Sequence, residues 1–371
     1  MRVLHVAPFD PSRYPPLIQT TKVCAAAGAD SDVIAATPVR APLTLTGTQL
    51  VQPSTHLSRV DLLRYLITGI RRAMRVNRPD LVIAHNYHGL LAAAVGAAAT
   101  VPLVYHCHDF VGAPNLRGRL DLLLEQVSSF RVDEVWVPAR ERTEEVFRRG
   151  LRGQVRLVRN CPRRLATLPR GGRLRGWLGE RGCDTRARIV ARHGSIGRAH
   201  CILESIEALA WVAAPTTLVV IGEGDEDYVR ACEARARQLG LERRVWFHPF
   251  VPHDQLYELL VDVDVSLGLY APTEFNTASP APNKVFESLA AGVGVIVTAG
   301  NSLAEEVVSA NVGLAVDHRS PRGIGDAIER LIDGSSFAEQ VKANAREAHL
   351  RELNYEHQLA PTVLGRLLGL S

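Results

Sequence analysis

The stretch Ser279–Val297, SPAPNKVFESLAAGVGVIV, carries residue types whose spacing suits an anionic ligand rich in hydroxyl groups. Pro282 and Asn283 read as the start of a helix, with Asn283 at or near the N-cap. The backbone N–H groups of Lys284 to Glu287 then lack partners inside the helix. Such an end attracts phosphate through its free donors and through the helix dipole, and Lys284 adds a full positive charge there. Glu287 follows one turn later, on the face near Asn283, where a carboxylate can accept hydrogen bonds from vicinal hydroxyls. Gly292 closes the helix, and Val293–Val297 continues as a buried strand.

Other chemical patterns read less sharply. Asp262-Val-Asp264 has the spacing of a metal-binding pair, but it stands between a helix and a buried strand, which favours a structural role; no metal is expected. Gly222-Glu-Gly224 follows a strand, yet the third glycine of a dinucleotide fingerprint is replaced by Asp227. The six cysteines are scattered with no Cys-x-x-Cys pair, as in a reduced intracellular protein. The helix Leu62–Met74 puts Leu62, Leu63, Leu66, Ile67, Ile70 and Met74 on one side and arginines elsewhere. Core packing with a solvated basic face is the first expectation for it, and weak peripheral contact with a membrane the second.

The elements around these residues alternate. Short apolar strands (2–6, 32–36, 80–84, 102–106, 134–137, 154–158) are separated by helical patterns, which implies a parallel sheet with crossovers. Arg163–Arg188 breaks the alternation with five glycines, many arginines and little periodicity, and reads as a linker. The alternation then restarts through strands at 188–192, 217–221, 245–248, 265–269, 295–297 and 313–316. The predicted fold is α/β, with two doubly wound Rossmann-like domains. Residues 1–165 form the first, 166–187 the linker, 188–345 the second, and 346–371 helices expected to return to the first domain, kinked at Pro361. Ligands of such open sheets bind at the carboxyl ends of the strands, so a cleft between two such edges is expected.

Bulk properties agree. A chain of 371 residues exceeds what one core usually supports, about 250–300 residues. Its 46% hydrophobic and 22% charged content is ordinary for a globular protein. The net charge of +4 is not gathered with aromatics into one block, which argues against nucleic acid as a partner. The basic residues are nearly all arginine, with lysine only at positions 22, 284 and 342, a composition typical of high-GC bacteria. The opening MRVLHVAPFD reads as a strand, and no apolar run is long enough to span a bilayer, so a cytoplasmic protein is expected.

The stretch Pro282, Asn283, Lys284, Phe286, Glu287, followed by Ala290, Ala291 and Gly292, resembles the C-terminal motif of glycosyltransferase family 4, in the branch that reads Pro-Asn-Lys-x-Phe-Glu. LVVIGEGDEDYVRAC (218–232), VWFHPFVPHDQLYELLVDVDVSLGLY (245–270), VYHCHDF (104–110), VDEVWVPARERTEEV and VRNCP are similar to further segments of that family, in the same order over more than 250 residues. The resemblance implies a GT-B fold and a retaining, metal-independent transferase that needs no cofactor and takes a nucleotide-diphosphate sugar as donor. It implies that Glu287 holds the donor ribose, that Lys284 and the helix start at Asn283 hold the diphosphate, that Arg198 is a second basic phosphate ligand, and that His108 sits near the transferred sugar. Gly194, Ser195, Phe286 and Val251 complete the implied donor site.

The chain also departs from the family. Ser279 stands where a sugar-contacting glutamate is usual, with Glu274 as a conceivable substitute. Ser195 replaces a common arginine, and the first loop, APFDPSRYPP, lacks a glycine pair. The donor sugar is therefore open, hexose or aminohexose, with UDP favoured as its carrier. The acceptor is open as well: saccharide, secondary metabolite or lipid. The alternatives are a nucleotide-sugar epimerase or a sugar phosphorylase of the same fold, or a degenerate scaffold that binds nucleotide sugars without turnover.

Overall fold

A computed structural model describes residues 1–38, 48–53, 57–111 and 115–370. The chain divides into two compact units, Met1–Arg163 together with the chain from Tyr355 onward, and Arg164–Asn354. The first is built on β1 (Arg2–Ala7), β2 (Asp30–Ala35), β3 (Thr48–Val51), β4 (Leu81–His85), β5 (Leu103–His106), β6 (Glu134–Val137) and β7 (Gln154–Leu157). All neighbours in this sheet are parallel, in the order β3-β2-β1-β4-β5-β6-β7. The second unit contains β8 (Arg188–His193), β9 (Thr216–Ile221), β10 (Val245–His248), β11 (Val265–Gly268), β12 (Gly294–Thr298) and β13 (Gly313–Val316), again parallel, in the order β10-β9-β8-β11-β12-β13.

Helices cover both faces of each sheet, so the central strands are buried on both sides and read as continuous apolar runs. In β8, Val190 faces one hydrophobic cluster and its neighbours Ile189 and Ala191 face another. In the first sheet, Leu4 and Val6 pack on one side and Val3 on the other. Each sheet reverses its strand order once, between β1 and β4 and between β8 and β11. At such a reversal the crossovers leave on opposite faces and open a crevice at the carboxyl edge, which is where ligands of this architecture sit.

Several elements differ from the sequence reading. The short edge strand β3 and the helix Ser302–Ser309 have too few residues to show a period. The Gly- and Arg-rich stretch after Arg163 contains a helix, Arg173–Gly179, whose Leu174 and Leu178 are buried. Its apolar residues, Leu174, Trp177 and Leu178, make a single i, i+3, i+4 set among glycines and arginines, too short to stand out from the linker-like composition around it. The C-terminal helix Ser336–Arg351 stops before Pro361, because the Asn354 side chain donates to the carbonyl of His349, 2.8 Å away. Two shorter helices follow, Tyr355–Leu359 and Val363–Leu368. They are tied to the first unit by Tyr355 Oη to Thr20 Oγ1 (3.0 Å) and by the Val363 amide donating to Glu134 (2.9 Å).

The helix Arg59–Val76 turns Leu66 and Ile70 fully into the core, with Leu62, Leu63, Ile67 and Met74 packed against it. Its apolar side is thus packed against the protein's own interior, the first of the two expectations for that helix.

Candidate functional site

In the second unit the site is assembled where β8 and β11 part. β8 ends at His193, and the chain turns through Gly194 with φ +93°, a left-handed conformation that favours glycine. A Cβ at Gly194 would lie 3.3 Å from Lys284 Cε, so the lysine stem packs directly on this turn. Lys284 is buried, and its Nζ donates to Tyr270 Oη at 2.9 Å. Burial pushes the amine well below the ordinary lysine range; the Arg192 guanidinium pushes in the same direction, and Glu287 opposes it.

Arg192 follows the apolar run Ile189–Ala191 of β8, and only 1% of it is exposed. Its Nη1 donates to the carbonyl of Ser195 at 2.7 Å. Its Nε and Nη2 have no hydrogen-bond partner among the described residues. Burying a cation without a counter-charge is costly. Lys284 and Arg192 are thus two buried basic side chains against the single carboxylate of Glu287.

Glu287 is itself buried and clamped. One carboxylate oxygen lies 2.9 Å from His193 Nε2 and the other 2.9 Å from His253 Nε2. Burial alone would raise its pKa, but the two histidine contacts outweigh that and hold it well below the ordinary carboxylate range. A carboxylate fixed in this way keeps unused lone pairs in a defined orientation. The helix that carries it, Asn283–Ala290, has Pro282 as its N-cap and no side-chain cap. Asn283 is therefore the first helical residue rather than the cap, because the extended backbone of Pro282 already supplies the cap conformation. The first-turn N–H groups receive no capping side chain and share this corner with Lys284.

The other sequence candidates fall around this core. Ser195 is exposed and contributes its carbonyl to Arg192. Arg198 is exposed, with its guanidinium 5.5 Å above the Tyr228 ring. Phe286 is buried, and Val251 packs half-buried against the second unit's core. Glu274 caps the short helix Phe275–Ala278 in a reciprocal capping box. Asp262 accepts the amides of Gly172, Leu174 and Arg175, capping the helix Arg173–Gly179 from a distance. Asp264 binds Arg188 (2.9 Å) and the Ile189 amide (2.8 Å). Both aspartates thus serve the scaffold. A Cβ at Gly222 would meet the Gly194 carbonyl oxygen at 2.1 Å, and one at Gly224 the Ile196 oxygen at 2.0 Å. These glycines let two loops touch.

The first unit presents a different constellation at its own strand reversal. His5 of β1, His85 of β4, His106 of β5 and His108 lie together at the carboxyl edge, all buried. His5 Nδ1 is 3.2 Å from His85 Nε2, and His85 Nδ1 is 3.3 Å from His108 Nε2. The ring centroids are 5.5 and 5.6 Å apart, about as far as those N···N gaps allow, so the nitrogens meet head-on. Burial, reinforced by neighbouring rings, lowers the pKa of His85 and His108 well below the ordinary value. Burial brings His5 and His106 to about 3. Neutral rings meeting head-on form an N–H···N chain with a single direction of donation. His85, His106 and His108 have ligand atoms within 4.8 Å of one another, near enough to share a cation. The head-on contact, however, places a proton between His85 and His108. The backbone carbonyl of His108 accepts from the buried Arg142, and Asp109 lies 3.6 Å from the same guanidinium.

Sequence reasoning missed Arg192, His193, His253, His5 and His85. The first two had a signal: polar residues closing an apolar strand, RIVARH, are hard to place in a core without a task. His253 and His5 had none, because only the fold brings them to Glu287 and His85.

Two α/β units, each with a polar cluster at its strand reversal, define the GT-B class of fold, and the comparisons with known proteins agree. The family model "Glycosyl transferases group 1" matches residues 184–348, and the "Glycosyl transferase 4-like domain" matches residues 19–161. Both models describe glycosyltransferase domains, and between them they match most of the chain, one in each unit. An uncharacterized glycosyltransferase of Methanocaldococcus jannaschii is 28% identical over 147 residues. That match covers 39% of this chain and 35% of the relative, so the chain spans about a third of the length of the curated relative it matches. Among solved structures, HepE of Anabaena in complex with UDP-glucose is similar with a TM-score of 0.77 and 16% identity, over 100% of this chain and 98% of that one. Sucrose-phosphate synthase of Thermosynechococcus elongatus gives 0.77 and 18%, over 100% and 99%.

Proposed function

We propose that the chain transfers a hexose or aminohexose from a nucleotide-diphosphate sugar to an acceptor hydroxyl with retention of anomeric configuration. One observation carries this reading. Two buried basic side chains, Lys284 at an uncapped helix start and Arg192 near enough to depress its pKa, stand against the single carboxylate of Glu287. A diphosphate supplies the missing charge, and Glu287, held by two histidines, accepts the ribose hydroxyls beside it. UDP is favoured as the carrier, since HepE, which shares the fold, was crystallised with UDP-glucose.

In the proposed reaction the bond between the anomeric carbon and the β-phosphate oxygen breaks, leaving negative charge on the diphosphate and positive character on the sugar. Lys284, Arg192 and the helix N–H groups stabilise that developing charge, usually the largest catalytic contribution. The acceptor oxygen forms its new bond on the face the diphosphate leaves, and its proton passes to a diphosphate oxygen. His108 keeps the role the resemblance implies, positioning the sugar as a neutral imidazole. Arg198 would add charge from the loop after Gly194. No metal ion enters the scheme, so turnover measured after EDTA treatment is expected to equal that of untreated protein.

The experiment is a panel of nucleotide sugars scored by thermal stabilisation, followed by turnover with and without acceptor. Stabilisation by UDP-sugars, with diphosphate release that depends on an acceptor, is the expected outcome. Isomerisation of the donor without any acceptor would make the protein an epimerase, and binding without turnover would make it a scaffold.

A further inference from the structure

The helix Leu116–Ser129 is inverted relative to a normal surface helix. Its protein-facing side carries Gly118, Glu125 and Ser129, all buried. Glu125 reaches Tyr105 Oη at 2.5 Å and lies 3.7 Å from Arg149. Its outward side carries Leu116, Leu120, Leu123, Leu124 and Val127, at the i, i+4, i+7, i+8 and i+11 spacing of one helical stripe. Phe130 prolongs the stripe by one turn. Leu116 is 84% exposed, Phe130 72%, and Phe147 on the neighbouring helix Arg140–Arg148 67%. Single exposed leucines need no explanation, but a continuous row of six large apolar side chains on a soluble surface marks a contact.

The charges around the row say what it contacts. Arg117 and Arg119 are exposed in its first turn, Arg152 places its guanidinium 5.4 Å over the Phe130 ring, and Arg148 follows Phe147. The acidic side chains of the same helix are engaged inward, Glu125 as above and Asp121 with Tyr87 Oη at 3.0 Å. Long arginine stems can lie along an apolar surface while their heads reach phosphates. A second copy of the chain, paired through the same face, would set these guanidiniums against one another.

We propose that the stripe from Leu116 to Phe130 is a docking surface for an anionic lipid bilayer. The leucines and phenylalanines enter the boundary between headgroups and acyl chains, and the arginines at the margin bind the lipid phosphates. The proposal stands apart from the donor site and does not depend on its chemistry.

The test is co-sedimentation of the full chain with vesicles of phosphatidylglycerol mixed with phosphatidylcholine, against vesicles of phosphatidylcholine alone. The expected result is pelleting with the anionic vesicles, weakened by salt, and little with the neutral ones. The double variant Leu120→Asp/Val127→Asp should lower the bound fraction at least about tenfold. Its melting temperature and its response to UDP should stay those of the wild type, since both positions face solvent. No binding by the wild type, equal binding to neutral vesicles, or unchanged binding by the variant would overturn the proposal. So would a wild-type dimer in light scattering that the variant dissolves, which would make the stripe a protein interface.

Discussion

The two sheets reverse their strand order in the same way, and each gathers polar side chains at the reversal, but the two gatherings differ in electrical character. The second unit buries two basic side chains, Lys284 and Arg192, against one carboxylate, Glu287, which His193 and His253 keep ionised. The first unit holds four imidazoles whose pKa values burial lowers, three of them, His5, His85 and His108, linked head-on, with His106 packed against His108. The first arrangement is incomplete without an anion. The histidine cluster carries no charge that calls for an anion, and its ring nitrogens left without a partner among the described residues, on His5, His106 and His108, can orient a neutral group. The same topology thus yields a binding corner in one half and a positioning frame in the other, and the strand-end residues decide which.

The largest contrast should come from removing the cations. Lys284→Ala is expected to lower turnover by ~10²–10³, the usual effect of losing one preorganised donor to a leaving group. Steady-state rates of diphosphate release check this, and near wild-type turnover would remove Lys284 from the account. Arg192→Met separates binding from stability. Relieving an unpaired buried charge should raise the melting temperature of the ligand-free protein by about 2–4 °C. The same variant should weaken UDP binding at least about tenfold. A variant that both melts lower and binds normally would show that Arg192 belongs to the scaffold.

Acid should act on the two regions through different groups. The buried histidines of the first unit have folded pKa values below their unfolded value of about 6.5, so the unfolded chain binds more protons. Stability is therefore lost as pH falls from about 6.5 toward about 3, the value for His5 and His106, by up to ~1.4 kcal/mol per pH unit for each ring. Glu287 is depressed instead. Its contribution is present above its unfolded value of about 4.3 and is lost only as pH falls below that. Trp136, whose ring lies 5.3 Å from His106, reports the first transition by fluorescence, and amide exchange around Glu287 reports the second. Simultaneous loss below pH 4.5 alone would contradict the neutral-histidine reading.

The smallest effect concerns orientation. His85→Asn breaks the chain between His5 and His108 and should lower turnover several-fold while leaving UDP affinity unchanged. An equal loss of both would point to general unfolding instead.

Much of the architecture could be read in advance, because parallel strands buried on both faces leave unmistakable apolar runs such as LVIAH and TTLVVI. The short elements could not, since Arg173–Gly179 offers only one i, i+3, i+4 set, Leu174, Trp177 and Leu178, within a glycine- and arginine-rich stretch. At the site, Lys284 and Glu287 lay in one motif and were visible together. Arg192 was in plain view within RIVARH, but arginine is so common in this chain that its burial had to be seen. His253 reaches Glu287 across 34 positions, and His5 reaches His85 across 80, distances that only the folded sheet closes.

The central claim, that Lys284, Arg192 and the start of the helix Asn283–Ala290 form a diphosphate site, is tested most directly by calorimetric titration with UDP and with uridine. Wild-type protein should bind UDP at one site and much more tightly than uridine, and Lys284→Ala with Arg192→Met should remove most of that difference. Equal affinity for the two ligands, or a difference that survives both substitutions, would contradict the account.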